Sequence, residues 1–293
     1  MRYAIYAAPG TEPAGAVPAG AVQPDAAAPD PAGALLRERA ESWLGRSSTA
    51  PENNAPENNA GEPVTPGVPA GWTRGDVDAI TVSARRYGFH ATLKAPFRLA
   101  ADRTPQDLQV ALERFAAQRA AVTVPRLSLA CLGGGFFALV PGAAAPELYA
   151  LAADIVAGFD RFRAPATDAE IARRDPDRLT PRQRELLHAW GYHYVLDEFR
   201  FHLTLTDPVP VPRRPETERV LRDWFAASIG AALTVDALAL FTEAEPGAPF
   251  RLQAVYPLQA ARSSPPVSSP PVSPAAGNAT RPAGNATETE GAR

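Results

Sequence analysis

Two short segments of the chain alternate between apolar and polar side chains with the period of a β-strand. In positions 199–206 the apolar face consists of phenylalanine and leucine, and the polar face carries Arg200, His202, Thr204 and Thr206. In positions 89–94 the apolar face consists of Phe, Ala and Leu, and the polar face carries His90, Thr92 and Lys94. Each pattern predicts a strand with one face in the core and one face lined by polar groups.

Similar elements are predicted after both strands. After the first, Thr104 and Pro105 mark the start of a helix, because threonine caps a first turn and proline fits its first position. The pattern then predicts strands over 122–131 and 136–140. After the second strand it predicts a helix over 215–229 and strands over 233–241 and 250–256. The two histidines lie 112 positions apart, from 90 to 202, so this recurrence indicates two related lobes.

Further periodic segments and low-complexity stretches make up the rest of the chain. A strand is predicted over 2–6, and helices over 34–44, near 146–162 and over 167–190. Residues 8–32 are rich in Ala, Pro and Gly, and residues 47–70 contain the tandem PENNAPENNA. We therefore expect a single bilobal domain over 1–260 with insertions at 8–32 and 47–70, lobe one at about 1–140 and lobe two at about 141–260. Residues 261–293 are expected to form a disordered tail rich in Pro, Ser and Ala.

Composition limits the classes of partner. The formal net charge of −3 and the isoelectric point near 5.9 argue against a surface that coats a DNA duplex, so groups that bind anions must be gathered in a cleft. The single cysteine excludes an intramolecular disulfide. The sequence has no secretory signal and no apolar run of transmembrane length, so we expect a cytoplasmic protein that does not bind membranes.

The two polar faces combine groups that suit phosphate chemistry. Imidazole titrates near neutrality, and hydroxyl and cationic groups stabilise charge that develops on a phosphoryl group. One isolated His-x-Thr is typical of an ordinary amphipathic strand with a solvated face. Here two of the four histidines are each followed by x-Thr-Leu, and phenylalanine precedes both. The double occurrence favours one paired acid/base site.

These segments resemble the signatures of the 2H phosphoesterase superfamily, which is named for two His-x-Thr/Ser motifs on a duplicated α+β fold. The phrases RRYGFHATLKAPFRL, RLTPRQRELL and DEFRFHLTLT, with RYAIY at the start, are similar to those of a branch associated with bacterial phosphonate-utilisation operons. His193 stands where that branch has proline in a WGYPY phrase. The resemblance covers nearly all of the chain outside the low-complexity stretches.

The resemblance implies a bilobal, duplicated α+β fold with antiparallel or mixed sheets lining a central cleft and helices outside. It implies a phosphoesterase that requires no metal and no other cofactor and acts on a small cyclic phosphate in phosphonate metabolism. His90 and His202 would be the general acid and base, and Thr92 and Thr204 would bond the non-bridging phosphate oxygens. Which histidine is the acid stays open, and a ligase direction would exchange the two roles.

Three further side chains are candidates for the phosphate site. Lys94 and Arg200 each lie two positions from a histidine on the same strand face, and Thr206 continues the second face. Each of them can equally solvate a strand edge. The remaining histidines, His188 and His193, lack the spacing of metal ligands, so we expect them to be structural or on the surface.

Two other functions stay open at this point. One is RNA-end processing, as a 2′,3′-cyclic phosphodiesterase or a 2′-5′ ligase, and the other is a non-catalytic accessory protein that binds a phosphate ligand. The expected partner is thus a small phosphorylated substrate or an RNA end, and the oligomeric state is left open. Tyr6, Tyr87 and Tyr194 could close over a sugar or base, although buried tyrosines with a bonded hydroxyl are commoner.

Overall fold

The computed structural model describes residues 1–11, 30–48 and 67–259. Most of the two predicted insertions, and the whole of the predicted tail at 261–293, lie outside the described residues. Residues Met1–Ala261 form one compact unit. Within the described ranges, no helix has the length and apolar character needed to cross a membrane.

The described residues form nine strands and eight α-helices. The strands are β1 (Arg2–Ala7), β2 (Ala91–Phe97), β3 (Val122–Val124), β4 (Leu127–Cys131), β5 (Phe137–Pro141), β6 (Leu203–Thr204), β7 (Leu233–Val235), β8 (Ala237–Glu243) and β9 (Arg251–Pro257). The helices are α1 (Pro31–Leu44), α2 (Arg74–Asp78), α3 (Val82–Tyr87), α4 (Pro105–Ala116), α5 (Pro146–Phe159), α6 (Asp168–Ala172), α7 (Pro181–Trp190) and α8 (Arg214–Trp224). Short 3₁₀ turns cover Asp160–Phe162, Pro176–Arg178, Leu196–Glu198 and Val211–Arg213.

Seven strands form one antiparallel sheet in the order β4-β5-β6-β2-β1-β8-β9. The remaining two, β3 and β7, pair antiparallel with each other. On one side of the central β6–β2 pair lie β5 and β4, and on the other lie β1, β8 and β9. The predicted α+β class is confirmed, with a mostly antiparallel sheet and helices packed against it.

The two faces of the sheet have different surroundings. In β1, Ile5 and Ala7 belong to the main core with residues of α1, α4, α5 and α8, whereas Tyr6 belongs to a smaller cluster on the other face. Ala91 and Leu203 of the motif strands also lie in the main core. Full burial of a leucine contributes roughly 2 kcal/mol, so a register slip that exposed Leu203 would be unfavourable. The histidine and the threonine of each motif therefore lie on the second face.

Several predicted elements are shortened or divided in the structure. The predicted helix over 215–229 ends at Trp224, and the predicted strand over 233–241 is divided into β7 and β8, which belong to different sheets.

Three further differences concern the local backbone. The predicted helix over 167–190 is divided into α6 and α7, because Asp175 has a φ of 49° and Pro176 and Pro181 interrupt helical hydrogen bonding. The predicted strand over 122–131 is divided at Pro125, which lacks the N–H that a continuous ladder requires. The second motif strand covers only Leu203–Thr204, because the N–H groups of Leu205 and Thr206 both donate to the carbonyl of Phe137 and so end the regular ladder.

Candidate active site

Both predicted motifs line one cavity on the second face of the sheet. Strands β2 and β6 are antiparallel neighbours, with Ala91 opposite Leu203. On this register, one residue to either side places His90 opposite Thr204 and Thr92 opposite His202. All four of these polar side chains line a cavity of about 310 Å³. The sheet thus brings together residues that are more than a hundred positions apart in the sequence.

A backbone carbonyl orients each imidazole. Nδ1 of His90 lies 2.9 Å from the carbonyl oxygen of Gly88, and Nδ1 of His202 lies 2.7 Å from that of Arg200. A carbonyl oxygen only accepts hydrogen bonds, so Nδ1 carries the proton in both rings. In the neutral rings Nε2 is then unprotonated and can accept a proton. The Nε2 atom of His90 lies 3.3 Å from Oγ1 of Thr92.

Gly88 has the backbone conformation that this orientation requires. It ends α3 with φ 75° and ψ 178°, a region that is almost exclusive to glycine. A Cβ atom at this position would also lie 3.1 Å from Cβ of Ser48. The chain can therefore turn from α3 into β2 while the Gly88 carbonyl remains directed at the His90 ring.

Burial keeps both imidazoles neutral at pH 7. The pKa of His90, which is 9% exposed, falls to about 4 because burial disfavours the charged ring. The hydrogen bond to the Gly88 carbonyl opposes this shift, and the neighbouring His202 adds to it. Burial also lowers the pKa of His202, against the effect of its bond to the Arg200 carbonyl. Both rings can therefore act as proton acceptors in the free protein.

Tyr6 is a further polar group in this cavity, and its environment differs from the sequence-based expectation of a bonded hydroxyl. Its ring stacks on His90, with 3.9 Å between centroids and 28° between planes. The side chain is fully buried, yet its hydroxyl has no hydrogen-bond partner among the described residues. An unbonded buried hydroxyl costs roughly 1–3 kcal/mol. Because burial raises the pKa of Tyr6 well above its usual value, this group remains a hydrogen-bond donor next to the imidazole.

Lys94 does not lie on the face of His90, which corrects the expectation from strand alternation. The register of β1 against β2 shifts between the pairs Tyr6–Thr92 and Ile5–Lys94. Such a bulge reverses the faces of the residues that follow it. The Nζ atom of Lys94 is buried against α5, at 3.2 Å from the carbonyl oxygen of Val156 and 3.2 Å from Oδ1 of Asp160.

The other two sequence candidates also differ in their surroundings. Thr206 lines the cavity, but its hydroxyl accepts a hydrogen bond from the backbone N–H of Phe137 at 2.9 Å. The side chain of Arg200 is 67% exposed, lies 3.9 Å from a carboxylate oxygen of Glu198 and is positioned over the ring of Tyr194. It does not line the cavity. Of the predicted polar faces, the structure therefore brings together the two His-x-Thr pairs and Thr206.

Two cavity arginines were not indicated by the sequence. Arg2 belongs to β1, and Arg174 lies shortly after α6, with its guanidinium over the ring of Tyr192. Arg2 is the first residue of the RYAIY phrase but was not singled out as a site residue, and Arg174 belongs to no motif. Only the tertiary structure places both of them at the cavity. His188 is exposed on α7 and His193 is buried near Tyr192, and neither lines the cavity. Within the described ranges, no group of three His, Cys, Asp or Glu residues is arranged to hold a metal ion.

Comparison with known proteins identifies one family and two curated relatives. A family model described as "Protein of unknown function (DUF1045)" matches residues 92–251. A protein of Janthinobacterium sp. (strain Marseille) is 37% identical over 217 residues, which are 73% of this chain and 46% of the relative. A protein of Laribacter hongkongensis (strain HLHK9) is 33% identical over 262 residues, 86% of this chain and 50% of the relative. Both relatives are named ribose 1,5-bisphosphate phosphokinase PhnN.

The matches cover different shares of this chain and of its relatives. The chain spans about half the length of the two curated relatives, so their name describes proteins with additional sequence. The family model instead covers more than half of this chain, from the motif strand β2 to the start of β9. The chain therefore belongs to the DUF1045 family.

Proposed function

We propose that this protein is a 2H-type phosphoesterase that hydrolyses a small cyclic phosphate without a metal ion. One observation carries the proposal: two imidazoles line a single cavity from adjacent antiparallel strands, each with Nδ1 bonded to a carbonyl and each with a threonine two positions later in the chain. A base and an acid that act on the same phosphorus need this kind of paired arrangement. The same order of elements follows each motif strand, α4-β3-β4-β5 after β2 and α8-β7-β8-β9 after β6, and this recurrence supports a duplicated, bilobal origin of the fold.

In the proposed reaction, water attacks phosphorus and one ester bond of the ring breaks. Nε2 of one histidine takes a proton from the attacking water. Nε2 of the other takes up a proton from solvent when the substrate binds and gives it to the departing ester oxygen. The products are a phosphate monoester and a free hydroxyl on the same molecule. Proton exchange with solvent then returns both rings to their starting states.

We assign His90 as the base and His202 as the acid. His90 is the more buried ring, and a pKa of about 4 keeps its Nε2 free to accept a proton. His202 is only partly buried, and a phosphate anion bound beside it would favour its protonated form. The hydroxyls of Thr92, Thr204 and Tyr6 are the donors that would bond the non-bridging oxygens as their negative charge grows.

We place this reaction in phosphonate metabolism. Two observations support that context: the curated relatives carry the name PhnN for an enzyme of ribose 1,5-bisphosphate, and the sequence phrases are similar to those of a phosphonate-operon branch. The name also supports a phosphorylated sugar as the substrate class. In this proposal the chain carries out a hydrolytic step, and the kinase step belongs to the part of the relatives that it does not match.

The test is product analysis with 2′,3′-cyclic nucleotides, ribosyl cyclic phosphate and RNA that ends in a 2′,3′-cyclic phosphate, with and without EDTA. We expect hydrolysis of a small cyclic phosphate at a rate that EDTA does not change. His90→Asn and His202→Asn retain an N–H donor for the Gly88 and Arg200 carbonyls but lose the titrating Nε2. Each should lower kcat about 100-fold or more. The exposed His188→Asn variant is the matched control and should retain full activity.

Each alternative has a distinct outcome. Turnover of the RNA substrate alone would favour RNA-end processing, and joining of RNA ends would favour the ligase direction. Affinity for cyclic phosphates with no product after long incubation would indicate an accessory binding protein. Full activity of both His90→Asn and His202→Asn would show that the catalytic assignment is wrong.

A further inference from the structure

A second cavity adjoins the one that contains the two histidines. It has a volume of about 300 Å³ and shares Arg2, Tyr87, Pro96 and Arg174 with the first cavity. Its lining contains six arginines and one carboxylate, Glu170. The arginines are Arg2, Arg86, Arg98, Arg163, Arg173 and Arg174. This concentration of cations occurs in a chain whose formal net charge is −3, so it is a local property of this arginine cavity.

Nearby carboxylates neutralise only part of this charge. Arg2 and Arg86 share the single carboxylate of Glu243, which is fully buried. Arg163 likewise shares Asp160 with a second cation, Lys94.

Arg98 has a carboxylate of its own, because Glu170 accepts two hydrogen bonds from it, at 3.1 and 3.0 Å. Arg173 and Arg174 have no carboxylate partner within the described part of the chain. The cavity therefore retains an excess of positive charge, and its two unpaired guanidiniums are neighbours in sequence.

We propose that the arginine cavity binds a phosphate monoester carried by the same substrate whose cyclic phosphate lies between His90 and His202. This inference rests on the proposed function and narrows its substrate to a small molecule with two phosphoryl groups. A monoester carries a charge of about −1.5 to −2 at pH 7, and planar guanidiniums bind its oxygens in pairs. A cyclic phosphodiester carries one negative charge and gains less from the same arginines.

The dimensions of the two cavities favour a small molecule over an RNA chain. Each has a volume near 300 Å³, at the lower end of the range of small-molecule sites, and they meet at the four shared residues. A sugar with a cyclic phosphate at one end and a phosphate monoester at the other has a group for each cavity. RNA backbone phosphates are diesters, and they would not benefit from the charge excess to the same degree.

The experiment compares pairs of substrates that differ only in the distal phosphate. Adenosine 2′,3′-cyclic phosphate with a 5′-hydroxyl or a 5′-phosphate is the first pair, and ribosyl cyclic phosphate with or without a 5-phosphate is the second. We expect the phosphorylated member of at least one pair to have a kcat/KM at least tenfold higher, mainly through a lower KM. Equal kcat/KM values within both pairs would overturn the inference while leaving the proposed function intact.

Arginine variants locate the effect in the second cavity. Arg173 is exposed and lines only this cavity, so Arg173→Gln should fold normally and should reduce the preference for the phosphorylated substrate about five- to tenfold. Arg178→Gln is the matched control, because Arg178 is an exposed arginine on the same connection that pairs with Asp175 and lines neither cavity. If both variants lose this preference equally, or if Arg173→Gln retains it, the distal phosphate does not bind in the arginine cavity.

A binding measurement keeps the inference testable if no substrate is turned over. Calorimetric titration of the full chain with ribose 5-phosphate should show binding that weakens about five- to tenfold in Arg173→Gln and is unchanged in Arg178→Gln. Binding with this pattern but without any turnover would refute the proposed hydrolase and retain the phosphate subsite. Absence of binding together with absence of turnover would refute both. Tighter binding of an RNA 5′-phosphate than of ribose 5-phosphate would favour an RNA end as the occupant.

Discussion

At the scale of single residues, the chemistry of the site depends on two backbone carbonyls. Each accepts a hydrogen bond from Nδ1 of the histidine two positions later, so Nε2 of each ring is unprotonated in the neutral form. The contacts at Gly88 and Arg200 form within each motif, whereas the shared cavity forms only when the two motif strands pair. The burial that lowers the pKa of both rings also affects stability.

The first residue-scale prediction concerns pH and stability. The pKa of His90 is about 4 in the folded protein and about 6.5 in the unfolded chain, so the unfolded state binds more protons between these values. The free energy of unfolding should therefore fall as pH drops from 6.5 to 4. The loss caused by His90 should reach roughly 3 kcal/mol below pH 4. Urea unfolding of His90→Asn across this range should show a shallower dependence on pH. If the free energy of unfolding of His90→Asn depends on pH as steeply as that of the unsubstituted protein, His90 is not the cause of the pH dependence.

At the scale of elements, the bulge in β2 decides the role of Lys94. This residue is the single lysine of the chain, and strand alternation placed it beside His90. The observed register shift places it against the last turn of α5, where it donates to the carbonyl of Val156 and pairs with Asp160. A cation at a helix C-terminus interacts favourably with the unpaired carbonyls there. Its surroundings are those of a structural group.

The element-scale prediction follows from this position. Lys94→Met should lower the free energy of unfolding by about 1–3 kcal/mol, because the Val156 carbonyl and Asp160 lose a buried donor. The KM for a cyclic phosphate should change less than twofold. Arg200→Gln is a useful comparison, since Arg200 is the other cation predicted from the sequence and its exposed side chain should contribute little to stability. A large rise in KM for Lys94→Met without loss of stability would return Lys94 to the phosphate site.

Local sequence signals predicted several element boundaries well. The predicted start of α4 is observed, with Thr104 accepting a hydrogen bond from the backbone N–H of Asp107 at 3.1 Å and Pro105 as the first helical residue. The predicted strand over 2–6 corresponds to β1, and that over 250–256 to β9. Short-range capping and alternation determine such boundaries. Helices α2 and α3 were not predicted, because each has only one or two turns and little apolar periodicity.

At the scale of the whole molecule, the name of the curated relatives calls for a direct test. The phosphate-binding loop of many kinases places a lysine after a glycine in the pattern GxxxxGK[ST]. The single lysine of this chain is instead buried in β2 and follows leucine. We expect that the full chain with ATP, Mg²⁺ and ribose 1,5-bisphosphate consumes no ATP above the background rate. Phosphorylation of ribose 1,5-bisphosphate by this chain would refute the proposed division of activities.

The sequence by itself determined that the histidine and threonine of each motif share a strand face, because alternation acts over a few residues. The α+β class was implied by the resemblance of the motifs to a known superfamily. Only the tertiary structure decided that β2 and β6 are neighbours, that a bulge turns Lys94 away and that arginines from distant elements surround a second cavity. It also decided the low pKa of His90, because desolvation depends on the groups that the whole fold packs around the ring. The pairing of distant strands leaves no periodic signal in the sequence, which is why the two motifs could be recognised from the sequence but the cavity around them could not.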